Sequence, residues 1–338
     1  MPMPAAEPTN GAARGSSSGR FPDFFVVGHH KCGTTALWHS LRAHPQIYMP
    51  NLKEPQFLAD DMRRRFEPPQ GRVLARLLPQ TREDYLALFA DAAPEQLAGE
   101  ASASYLWSRT AATRIAESQP EARMIAILRE PASFLRSLHL QLYRSHIEDE
   151  PDLRKAISLE AARRRGKRIP RRSHLPQQLQ YSEHVSYVEQ LERYRAHFPR
   201  EQMLVLIYDD FRAENESTVR QVLRFLGVDA DGPVEIADEN TTSRNVRSQQ
   251  VDDLVDAMHL GRNPAARAAR GAVKTLTSRR LRHRAFRLLR RRYLYTEPPP
   301  PDDAFMLDLR RRYKGEVVAL SEYLGRDLVT LWGYDKLG

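Results

Sequence analysis

Apolar positions along the chain follow two repeating patterns. Short, nearly continuous runs of strand length occur at Phe24–Val27, Met124–Leu128 and Met203–Tyr208, with a weaker one at Leu97–Glu100. Stretches with helical periodicity lie between them. This alternation predicts a P-loop-like three-layer α/β fold, a central and mostly parallel sheet flanked by helices. Open sheets of this class bind ligands at the carboxyl ends of their strands. Lys31 follows the first run and Arg129 follows Met124–Leu128, so this topology brings both to one edge.

Phe24 to Thr35 reads FFVVGHHKCGTT. Val26 and Val27 suit a buried strand, Gly28 and Gly33 let backbone approach a ligand closely, and the first turn of the following helix offers unpaired N–H groups to an anion. Gly28 and Gly33 keep the Walker A glycine spacing, but Thr34 stands where that motif has its lysine. The loop's lysine is Lys31 instead, which weakens an ATPase or GTPase reading. An ordinary glycine turn is the other reading of the segment. Cys32 is either small-residue filler or a thiol whose pKa a helix N-terminus lowers. Leu37, Trp38 and Leu41 share a helical face, His44-Pro45 closes the segment, and NLKEPQFL then places Lys53 and Glu54 just beyond it. GEASASYL and RMIAILREPASFLRSLH supply a second strand-to-helix unit.

With these segments in order, the chain resembles the sulfotransferases that use 3′-phosphoadenosine 5′-phosphosulfate (PAPS), especially the branch that includes the heparan sulfate enzymes and many bacterial homologues. Lys31-Cys32-Gly33-Thr34-Thr35 is similar to that family's 5′-phosphosulfate loop, K-x-G-T-T. Glu54-Pro55-Gln56-Phe57 resembles the E-x-[HQ]-F segment in which heparan-type enzymes keep their acceptor base. Arg129 at a strand end, with Ser137 in the helix after it, resembles the element that binds the 3′-phosphate. Tyr187 to Gly227 is similar to the family's helix, strand and FLG helix. The matches span most of residues 23–250. In two places the chain departs from the pattern. Ala101 and Ala103 replace the lysine and proline of a G-E-K-[ST]-P-x-Y segment, and NTTSRNVRSQQ is a poor match to the glycine-rich basic loop of some relatives, leaving Arg247 and Ser248 as its candidates.

The resemblance implies a single sulfotransferase domain over residues 23–338, PAPS as donor cosubstrate, adenosine 3′,5′-bisphosphate as product and no metal. A sulfuryl group would pass in line to an acceptor hydroxyl or amine while charge builds on the departing phosphate. Lys31 and the backbone N–H groups around Gly33, Thr34 and Thr35 would stabilise that charge. Arg129 and Ser137 would hold the 3′-phosphate. Arg129 is otherwise a strand-end arginine paired to Glu130 or Glu54. Glu54 is the first choice of base, and partial burial would have to raise its pKa for that role. Its other reading is a loop glutamate paired to Lys53 or an arginine. His29 and His30 compete as bases because imidazole titrates nearer neutrality. His139 and His184 are weaker candidates, and Ser102 and Ser104 can touch donor or acceptor or serve a polar turn.

The formal charge of +9 implies an anionic partner without choosing one. The excess concentrates in RRRGKRIPRR at 163–172 and in the arginine-laden segment 262–292. Readings of the latter are a solvated amphipathic helix, an acidic acceptor, an acidic carrier protein or nucleic acid, although no nucleic-acid motif accompanies the charge. Residues 138–185 and 255–305 read as helical, Arg-rich insertions, and residues 1–22 as a disordered tail. The sole cysteine excludes an internal disulfide and suits a reducing cytosol, no run is long enough to span a bilayer, and the N-terminus lacks a signal peptide's apolar core. A small-molecule or carbohydrate acceptor is the expectation. Two other classes stay open, a P-loop-like kinase or hydrolase and a basic binding module.

Overall fold

The computed structural model describes residues 19–63, 78–173, 175–236, 245–246, 295–296 and 300–337. Five parallel strands form one sheet in the order β2-β3-β1-β4-β5: β1 Phe24–Gly28, β2 Ile47–Tyr48, β3 Leu97–Ala101, β4 Arg123–Leu128 and β5 Met203–Ile207. The four strand-like runs of the sequence all became strands. The two-residue edge strand β2 carries too little pattern to be read in advance. All of β1, and β4 beyond Arg123, are buried, as expected of strands covered on both faces.

Helices occupy the intervals. α1 (Thr34–Ala43), α2 (Asp60–Arg63), α3 (Arg82–Ala87), α4 (Ala111–Ser118) and α5 (Pro131–Arg144) precede the short pair α6 (Leu153–Ser158) and α7 (Glu160–Arg164); α8 (Tyr187–Arg195), α9 (Tyr208–Ala213) and α10 (Asn215–Leu226) follow. The long α11 (Asp303–Leu324) and short α12 (Leu328–Leu331) end the described chain. As its periodicity suggests, α11 packs back through Leu309, Tyr313, Val317 and Leu320 onto α5 and α8, and Leu328, Trp332 and Tyr334 are buried behind it. No helix among the described residues is long and apolar enough to cross a membrane.

The segment expected to be an insertion from residue 138 begins inside α5, which runs unbroken to Arg144 because its apolar face, Phe134, Leu135, Leu138 and Leu142, continues past that point. Beyond it, Arg163 is 2% exposed and forms a two-pronged pair with Glu148 at 2.6 and 2.7 Å. Tyr181 donates to the same carboxylate at 2.8 Å. This arginine therefore serves the fold and offers nothing to an anionic partner. The segment 262–292, like Arg247 and Ser248, lies outside the described residues.

Candidate active site

Four neighbouring strand ends deliver the site. β1 runs into the loop that carries Lys31, β4 ends at Arg129, and β5 leads into α9, which begins with Tyr208. At the end of β3, the Ala101 carbonyl accepts the Glu54 N–H at 2.9 Å, the Ser102 hydroxyl accepts that of Gln56 at 3.0 Å, and the Tyr105 hydroxyl accepts that of Leu58 at 3.0 Å. The loop holding Glu54 is thus stitched to the strand beside β1. Lys31 and Glu54 both have left-handed backbones, with φ of 62° and 60°. Such conformations are costly for non-glycine residues and gather where a structure aims side chains at a ligand.

Gly33 begins α1 with φ 83°, and no side chain caps the helix. A Cβ there would stand 2.8 Å from the Phe211 ring, so only glycine fits the turn. The first N–H groups of α1 are consequently left for whatever enters.

Lys31, Gly33, Thr34, Thr35, Glu54, Arg129 and Ser137 all line one open cleft of about 1330 Å³. Arg129 pairs with neither Glu130 nor Glu54. It donates to the Lys31 carbonyl at 3.2 Å, its guanidinium lies 4.7 Å from the Tyr208 ring centre, and Tyr187 donates to its carbonyl at 2.9 Å. Burial, then Arg144 and Arg129, lowers the Lys31 ammonium to about 8. Burial and Arg129 likewise lower Arg136. Burial and neighbouring guanidinium groups thus make both Lys31 and Arg136 more acidic, which is the electrostatic signature of a site prepared for negative charge.

Two walls of the cleft were not anticipated from sequence. One is the face of α5 bearing Arg136, Gln141 and Arg144; the other is Met306, Leu307 and Arg310 on α11. The spacing of Ser133, Arg136, Ser137, Leu140, Gln141 and Arg144 marks one helical face, a signal available in the sequence. Nothing local says that α11 faces it.

The base candidates separate by environment. Burial pushes the Glu54 carboxyl up, but His30 and Lys53 outweigh it and hold the group below its ordinary value. His30 is itself lowered by burial, so it is mostly neutral at pH 7, and Lys53, at 2.8 Å from Oε1, is the lasting positive partner. Among the described residues, Glu54 Oε2 has no partner. His29 is fully buried, its Nε2 is 2.7 Å from Gln190 Oε1, and burial holds its pKa well down. His184 is buried too and lowered to about 3, while His139 bonds the Glu150 carbonyl at 2.9 Å. Of these histidines only His30 lines the cleft, with a buried Nε2 that has no hydrogen-bond partner among the described residues. Ser102 and Ser104 are buried. Cys32 is buried with its thiol pushed up to about 12 by that burial, opposite to the lowering that a helix N-terminus alone would cause.

The family model described as Sulfotransferase domain matches residues 21–267. The chain belongs to the sulfotransferase family. Carbohydrate sulfotransferase 15 of Homo sapiens is 34% identical over 157 residues, 35% of this chain and 27% of its own length. Bifunctional heparan sulfate N-deacetylase/N-sulfotransferase 4 of Mus musculus is 30% identical over 230 residues, 64% of this chain and 23% of its own. Heparan sulfate glucosamine 3-O-sulfotransferase 3B1 of the same species is 26% identical over 218 residues, covering 63% and 48%. The chain thus spans between about a quarter and about a half of these curated relatives. A solved sulfotransferase from Alicyclobacillus acidocaldarius aligns with a TM-score of 0.63 at 24% identity, over 92% of this chain and 98% of that one, and shares its fold. In this sulfotransferase the matched region carries the loop, Glu54, Arg129 and Ser137, whereas the α11 wall lies beyond it.

Proposed function

We propose that the chain transfers a sulfuryl group from PAPS to a hydroxyl, or an amine, of a carbohydrate-class acceptor. The observation that carries this reading is the convergence of Lys31 and Arg129, from adjacent strand ends, on one cleft with the uncapped start of α1. A nucleotide with phosphate groups at both ends fits such a donor set. The α1 N–H groups, Thr34, Thr35 and Lys31 would take the phosphosulfate end, and Arg129 with Ser137 the 3′-phosphate. The carbohydrate class is drawn from the names of the curated relatives.

The bound donor would supply the sulfuryl group. Lys31 would then neutralise charge gathering on the departing phosphate oxygen, and it does so best in a partly desolvated cleft, where a fixed cation acts more strongly than in water. Arg129 presents a planar fork already oriented by the Lys31 carbonyl and Tyr208, so little order is lost on gripping a phosphate. Glu54 would accept the acceptor's proton through Oε2. Lys53 keeps that carboxylate ionised across the neutral range, which favours availability over basicity.

Sulfur-labelled PAPS and a panel of carbohydrate acceptors test the reading. The expected result is label transfer by the wild-type chain and almost none by Lys31→Ala, at equal folded content. Full turnover in that variant would sink the assignment. Comparing thermal shifts with adenosine 3′,5′-bisphosphate and with ATP plus magnesium separates this reading from a kinase, since the tighter ligand raises apparent stability more.

A further inference from the structure

The last part of the chain reaches both flanks of Arg129. On one flank, Glu130 caps α5 by accepting the Ala132 N–H at 3.1 Å and the Ser133 N–H at 2.6 Å. Tyr334, wholly buried, donates its hydroxyl to that carboxylate at 2.5 Å, and Arg310 Nε lies 3.6 Å away. On the other flank, Tyr208 stacks against the Arg129 guanidinium, and its neighbour Asp209 accepts the Trp332 indole N–H at 2.9 Å. Arg310 links the two contacts. It donates to the Trp332 carbonyl at 2.6 Å and its guanidinium lies 5.4 Å from the Tyr334 ring centre. All these C-terminal groups lie beyond residue 267, where the family match stops.

We infer that Tyr334 and Trp332 are positioning residues for Arg129, making the end of the chain part of the apparatus that recognises the 3′-phosphate. The inference rests on the proposed role of Arg129. A guanidinium grips a phosphate through a fork whose worth depends on its angle. Here that angle is set by the β4–α5 turn, which Tyr334 pins through Glu130, and by the Tyr208 ring, which Trp332 pins through Asp209. Releasing either pin leaves the cation present but misaligned. Recognition of the 5′ end rests chiefly on Lys31 and the N–H groups of α1, so it should change far less.

Calorimetric titration of the full chain with adenosine 3′,5′-bisphosphate and with adenosine 5′-phosphate tests this. Wild type must favour the bisphosphate; lack of that preference would overturn the assignment of Arg129 itself. Tyr334→Phe and Trp332→Phe, measured separately, should each weaken bisphosphate binding about tenfold, the worth of one charge-assisted hydrogen bond. The monophosphate should change by less than about twofold, being indifferent to the missing contact. Unchanged selectivity in a folded variant overturns the inference and leaves Arg129's role standing. Ile115→Val in the core of α4 serves as a control for general loosening, and an equal loss of selectivity there also overturns it. If Tyr334→Phe does not fold, Trp332→Phe decides alone.

Discussion

Two arginine-rich parts of the molecule use charge in opposite ways. In the cleft, Lys31, Arg129, Arg136, Arg144, Arg212 and Arg310 face a shared space in which the acidic groups among the described lining residues are Glu54 and Asp303. Near α7, Arg163 is locked to Glu148 and capped by Tyr181 with no solvent access. A matched buried pair is consumed by folding, because its attraction mainly offsets the cost of removing both charges from water. Cations that outnumber the carboxylates lining the same space keep part of their repulsion in reserve until an anion relieves it. Dense basic sequence therefore says little about binding until the carboxylates are located.

Substitutions at the two places should part accordingly. Lys31→Ala is expected to lower sulfuryl transfer about a thousandfold, roughly 4 kcal/mol of transition-state stabilisation, with an unchanged melting temperature, measured by labelled-donor turnover beside a thermal melt. Arg163→Ala should do the reverse. Stranding the Glu148 carboxylate in the interior should cost about 3 kcal/mol in urea unfolding while kcat per folded molecule holds steady. A variant of Arg163 that melts normally would erase the distinction.

A third test concerns pH. Glu100 at the end of β3 is fully buried, accepts from Tyr85 at 2.7 Å and Tyr105 at 2.9 Å, and burial raises its carboxyl to about 7 from an ordinary 4.5. A carboxyl raised on folding holds its proton in the native state when the unfolded chain has released it. Stability should therefore fall as pH rises from about 4.5 to 7 and level off above. Glu100→Gln should flatten that slope and gain on the order of 2 kcal/mol at pH 8, read from urea midpoints at several pH values. Smaller still, Arg129→Lys should raise the donor KM roughly tenfold with little change in kcat, since an ammonium keeps the charge but loses the fork.

Much of the fold was legible because parallel strands covered on both faces leave unbroken apolar runs, as in VV of β1 and MIAIL of β4. Lys31 and Arg129 were legible as positions just past strand-like runs, and Glu54 and Ser137 through the family resemblance; one cleft gathers all four. The histidines were not. His29 is held by Gln190, 161 residues away, so its burial has no local mark. The role of Arg163 was hidden in the same way, since a basic run looks alike whether or not a distant Glu148 and Tyr181 close on it. The α11 wall shows its periodicity plainly, yet which neighbour that face meets is decided by tertiary packing.

Cys32 gives the molecule a reporter of its own. It is the sole thiol of the chain, sealed beneath the loop and protonated at any ordinary pH. A maleimide or disulfide reagent can reach it only when the loop lifts, so the rate of labelling counts openings. Anything that seats against Lys31 and Thr34 should slow that clock, and occupancy of the cleft can be followed without an acceptor or a radioactive donor.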